Sequence, residues 1–72
     1  MKSFESMGER IWIRRQILGL SQNAVALRSQ SDKNQIHQYE KGLFFPNSFN
    51  LRKLAQALEC SSDYLLGLKN KP

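Results

Sequence analysis

Seventy-two residues with a formal net charge of +5 and a single cysteine, Cys60, set narrow bounds. The length suits one domain near the lower limit for folding without metals, and one cysteine excludes an internal disulfide and any cysteine-rich zinc site. An isoelectric point near 9.8 favours a polyanionic partner, and no apolar run approaches the roughly 20 residues of a membrane span.

Met1-Lys2-Ser3-Phe4 leads into no signal-peptide core, so the expectation is a cytoplasmic chain. Ser6-Met7-Gly8-Glu9 fits a capping box, which predicts a first helix from near Ser6 to Gly19 with Met7, Ile11 and Leu18 facing inward. Ser21 can cap a second helix through about Ser29, with Val25 and Ala26 toward the core; the small Ala26 suits a close helix crossing. Asp32 can cap a third helix that runs to Glu40 or Lys41 and stops at Gly42. Leu43-Phe44-Phe45-Pro46 reads as a loop. Asn47 then caps a fourth helix whose Leu51, Leu54, Ala55 and Leu58 share one face. Ser61 caps a short fifth helix through Leu66, anchored by Tyr64 and Leu65 and ended by Gly67. No alternating apolar run argues for a strand. The expected fold is all-α with five helices: one domain over residues 1–72, a core at 6–67 and short tails at 1–5 and 68–72.

The third helix carries the chemistry. Ile36, Tyr39 and Glu40 share one face, and Lys33, Asn34, His37, Gln38 and Lys41 share the opposite one. That outward row holds cations, carboxamides and an imidazole, with no carboxylate. Lys, Asn and Gln have side chains that match base edges in the major groove, so the row suits reading of a DNA duplex. His37 either donates to a base or phosphate or sits in solvent, and is grouped here with the base-facing set. As a metal ligand it has no second histidine to join it.

Taken together, Arg15, Gly19-Leu20-Ser21-Gln22, Ala26, Ile36, Glu40, Gly42, Pro46, Leu54-Ala55 and Ala57-Leu58 stand in the order and spacing of a known pattern. The chain resembles the phage-repressor, or Cro/CI-type, helix-turn-helix domain, from Met7-Gly8-Glu9 to Asp63-Tyr64-Leu65-Leu66-Gly67. The resemblance implies a five-helix, lambda-repressor-like domain that binds operator DNA. It implies that Lys33, Asn34 and Gln38 reach bases, while Gln22, Lys41 and the backbone near Asn47 meet phosphates. It further implies a buried ion pair between Arg15 and Glu40. A weak homodimer through the fifth-helix region, at Ser62, Tyr64, Leu65 and Leu66, is the expected assembly. The chain also departs from the family. Gln30 stands at a turn position that is commonly glycine, Ser29 and Ser31 replace apolar residues, and the loop Leu43-Phe44-Phe45 is apolar where relatives are polar or basic.

The expected function is sequence-specific regulation of transcription, most simply as a dimeric repressor. An antitoxin or restriction–modification controller acting on its own operon is the near alternative, with Leu43, Phe44 and Phe45 as a surface for a protein partner. A protein-interaction adaptor that has lost DNA binding is the more distant one. Trp12, Ile13, Ile17, Phe44, Phe45 and Phe49 exceed what the core needs, so some of this surface is expected to meet a partner. Cys60 is expected as a small core residue. No cofactor is expected, and no enzyme: Asp32 is better explained as a cap, His37 lies on the reading face, and no glycine-rich phosphate loop exists.

Overall fold

The computed structural model describes residues 6–72; the tail expected over 1–5 lies outside the described residues. The element order is α1 (Met7–Leu18), α2 (Gln22–Arg28), α3 (Lys33–Lys41), α4 (Ser48–Ala57) and α5 (Ser62–Leu65). Each helix starts where a short polar side chain supplies the acceptor that a first-turn N–H lacks. Ser6 accepts from the Glu9 N–H at 3.2 Å, and the Glu9 carboxylate accepts from the Ser6 N–H at 3.0 Å. Ser21, Asp32, Asn47 and Ser61 cap α2 to α5 in the same way, at 2.8–3.0 Å.

The helix ends divide into two kinds. Helices α1 and α3 stop at Gly19 and Gly42, both left-handed. Helices α2 and α4 have no such glycine, and the left-handed residues that follow them are Gln30 (φ 58°) and Glu59 (φ 56°). Beyond α4, arginines take up the open carbonyls. Arg14 donates to the Leu58 and Glu59 carbonyls at 3.2 and 3.1 Å, and Arg28 to that of Ala57 at 3.2 Å. Cations also complement the negative end of a helix.

Helix α1 packs on α3 and α5, α2 packs on α3 and α4, and α4 packs on α5. Ile11, Val25, Ile36, Leu54, Leu58 and Leu65 are fully buried where these helices meet. Each such side chain contributes about 2 kcal/mol relative to exposure. Ser29 is also buried; its hydroxyl donates to the Val25 carbonyl at 2.8 Å, so a polar residue serves at an apolar position. The close crossing sits at Gly8. A Cβ built there would lie 2.3 Å from the Glu40 carbonyl oxygen and 2.8 Å from that of Tyr39. Only glycine lets α1 approach the end of α3 so nearly.

Arg10 is buried and holds the C-terminal segment. Its guanidinium lies 4.6 Å from the Tyr64 ring centre and donates to the carbonyls of Tyr64 at 3.1 Å and Lys69 at 2.9 Å. The Ser61 N–H also donates to the Pro72 carbonyl at 2.9 Å. Within the short tail expected at 68–72, Lys69 and Pro72 are thus tied back to α1 and the start of α5.

Candidate nucleic-acid interface

Two helices joined by residues 29–32 present α3 to solvent. The Ser31 N–H donates to the Ala26 carbonyl at 2.8 Å, which closes the turn, and Asp32 opens α3. Ile36 and Tyr39 turn into the core, which leaves Lys33, Asn34, His37 and Lys41 exposed on the other face. Gln38 is half-buried. It lines a small pocket of about 300 Å³ with Gln35, Phe44, Phe45 and Asn47. Among the described residues, Lys33 and Lys41 pair with no carboxylate, so their charge faces outward.

A chain of polar contacts fixes this face to α1. The Arg15 guanidinium donates two parallel bonds to Glu40, at 2.6 and 3.0 Å, with both side chains nearly buried (11% and 9% exposed). Arg15 also donates to the Leu20 carbonyl at 3.0 Å, just before α2. Glu40 accepts from Gln22 Nε2 at 3.2 Å, and that nitrogen lies 3.5 Å from His37 Nδ1. A carboxylate only accepts, so the Gln22 amide must turn its nitrogen inward to Glu40. Its oxygen then faces away from the carboxylate. Beside this network runs an open groove of about 930 Å³ between α1 and α3, lined by Trp12, Ile13, Gln22, His37, Glu40 and Lys41 among others.

The Asn47 side chain is engaged as the α4 cap, so a phosphate would meet the backbone there. Of the residues expected at a dimer contact, Tyr64 and Leu65 are buried in the core of this chain, Ser62 is half-buried and Leu66 is exposed. Leu43, Phe44 and Phe45 are all exposed. Cys60 is half-buried against the core, and that burial raises its thiol pKa, with Arg14 pulling weakly the other way.

Residues 8–71 match the family described as helix-turn-helix domain. The chain belongs to that family. It is 43% identical over 60 residues to repressor protein C2 of Salmonella phage P22; the match spans 83% of this chain and 28% of that repressor's length. The crystal structure of the P22 c2 repressor with a synthetic operator superposes with a TM-score of 0.83 at 42% identity, covering 86% of this chain and 94% of that one. The restriction–modification controller protein C.AhdI of Aeromonas hydrophila gives a TM-score of 0.79 at 32% identity, covering 83% and 91%.

As a helix-turn-helix domain of the phage-repressor kind, the chain uses several residues that the sequence reading left unassigned. Gly8 is one: the sequence places it inside the capping box, whereas its close approach to α3 depends on a tertiary crossing. Arg10, Arg14 and Arg28 likewise have no role that local spacing assigns. On α1, Arg10 and Arg14 stand one turn apart, but the acceptors of all three arginines lie more than 25 residues away.

Proposed function

We propose that this chain is a sequence-specific, double-stranded DNA-binding transcriptional regulator that represses as a dimer by blocking RNA polymerase at an operator. The observation that carries the reading is the acid-free outward row of α3, held in place by the Arg15–Glu40–Gln22 network. Lys33 suits guanine O6 and N7, and Asn34 and Gln38 suit adenine N6 and N7. Lys41, Gln22 and the backbone at Asn47 supply phosphate contacts, which set affinity rather than sequence. The likeness to an operator-bound repressor supports the same reading. One such module reads few base pairs, so two copies about a two-fold axis would place their α3 helices ~34 Å apart. Ser62 and Leu66 are the residues left for that contact.

A restriction–modification controller is the second reading, favoured by the likeness to C.AhdI. Exposure of Leu43, Phe44 and Phe45 is the feature that favours a protein partner of the antitoxin kind.

Selection of bound sites from a random duplex pool tests the proposal and returns half-site spacing. On the selected operator, Asn34→Ala and Gln38→Ala should each cost ~1–3 kcal/mol and relax preference at one base position. Lys41→Ala should weaken binding to every sequence and reduce the salt slope by about one. Equal losses on operator and random duplex for all three variants would overturn this division of roles. No enrichment from the pool would overturn the DNA-binding reading itself.

A further inference from the structure

We propose that Trp12 is a further DNA-contacting residue: its indole closes the α1–α3 groove over a sugar–phosphate segment and donates its N–H to a backbone phosphate. This rests on the DNA-binding reading above and adds α1 to the surface that meets the duplex. The helical repeat places Trp12 one turn beyond Gly8, on the side of α1 that crosses the end of α3. It reaches the groove from there and lines it opposite residues of the reading helix.

Three observations favour a phosphate-bearing occupant. Gln22, His37 and Lys41 belong to the candidate DNA surface and line the same groove as Trp12. The charge favours an anion as well. Two acids, Glu9 and Glu40, line the groove against three cations, Arg10, Arg15 and Lys41. Glu40 is matched by two bonds from Arg15 and Glu9 accepts from the Ser6 N–H, whereas Lys41 pairs with no carboxylate among the described residues. Finally, Trp12 is 50% exposed and donates no hydrogen bond among the described residues. Indole nitrogen can only donate, and a phosphate oxygen can only accept. The flat ring would cover apolar sugar atoms while its N–H turns to the phosphate, a division of labour that suits tryptophan at interfaces.

Trp12 is the chain's single tryptophan, so it reports on its own contact. The full chain is titrated with the selected operator and with random duplex while indole emission is followed. Emission should change on both, because a backbone contact ignores sequence. Trp12→Phe keeps the ring and removes the donor. It should retain the wild-type melting temperature and weaken binding to both duplexes by the same factor, up to about tenfold. Its salt slope should match wild type, because the indole carries no charge. Replacing operator phosphates one at a time with methylphosphonates should erase the difference between Phe and Trp at one position.

Wild-type binding with unchanged emission would overturn the proposal while leaving the DNA-binding reading intact. An emission change with undiminished Trp12→Phe affinity would overturn it too. So would a loss confined to the operator, which would signal a base contact. Absence of wild-type binding to any duplex would overturn the DNA-binding reading and, with it, this inference.

Discussion

Glu40 is where α3, α1 and the start of α2 are joined. It accepts two bonds from Arg15 and one from Gln22, and Arg15 reaches on to the Leu20 carbonyl. A pair this enclosed is costly to split, because the surviving charge stays in place without its counter-charge or its hydrogen bonds. Glu40→Ala should therefore destabilise the fold by roughly 3 kcal/mol in urea denaturation. Arg15→Ala combined with Glu40→Ala should cost clearly less than the two single changes added together. A loss below about 1 kcal/mol for Glu40→Ala would place the pair with exposed ones instead. The same substitution frees the Gln22 amide, so any residual DNA binding should lose the contribution of Gln22 as well.

The turn between α2 and α3 carries a local conflict that can be relieved. Gln30 adopts φ 58°, a conformation costing a side-chain-bearing residue about 1–2 kcal/mol and glycine almost nothing. Gln30→Gly gives back part of that gain through the extra freedom of its unfolded chain. The expected net effect is stabilisation of up to about 1 kcal/mol, seen as a melting temperature higher by several degrees. Glu59→Gly, at φ 56°, should gain less, because the Glu59 carboxylate accepts from Arg28 at 3.3 Å and that bond would be lost. An unchanged or lower melting temperature for Gln30→Gly would show that the turn is held by its own contacts. The two turns also mark what was legible in the chain. Every helix start could be read, because Ser6, Ser21, Asp32, Asn47 and Ser61 act on N–H groups three residues away. The outward and inward faces of α3 were legible for the same reason, since spacing alone sets them. The roles of Gly8 and Arg10 were not, because each depends on a segment distant in sequence that folding brings alongside. Tyr64 and Leu65 were placed at a partner surface by resemblance, yet a helix as short as α5 needs both to hold it to the core.

Among the described residues, most arginines bind within the fold and most lysines stay outside it; exposed Arg52, and Lys69 at 3.9 Å from Asp63, are the exceptions. Arg10, Arg14, Arg15 and Arg28 all spend donors on carbonyls, and Arg15 and Arg28 on carboxylates too. Lys33 and Lys41 remain on the outer face of α3, and Lys53 lies over the Phe49 ring at 4.9 Å. The two cations differ in chemistry as well as in place: an ammonium readily becomes a nucleophilic amine, whereas a guanidinium stays protonated. The arginines that bind the carbonyls of the fold are thus chemically separable from the lysines exposed on α3. Citraconic anhydride, which acylates amines, should abolish binding to duplex DNA while leaving helix content and cooperative melting in place. Mild acid, by removing the acyl groups, should restore binding without any refolding step. Melting that collapsed on acylation would mean that lysines hold the fold together as well. If it persists, one reversible reaction on the unmutated protein turns DNA affinity off and on with the tertiary structure as its own control.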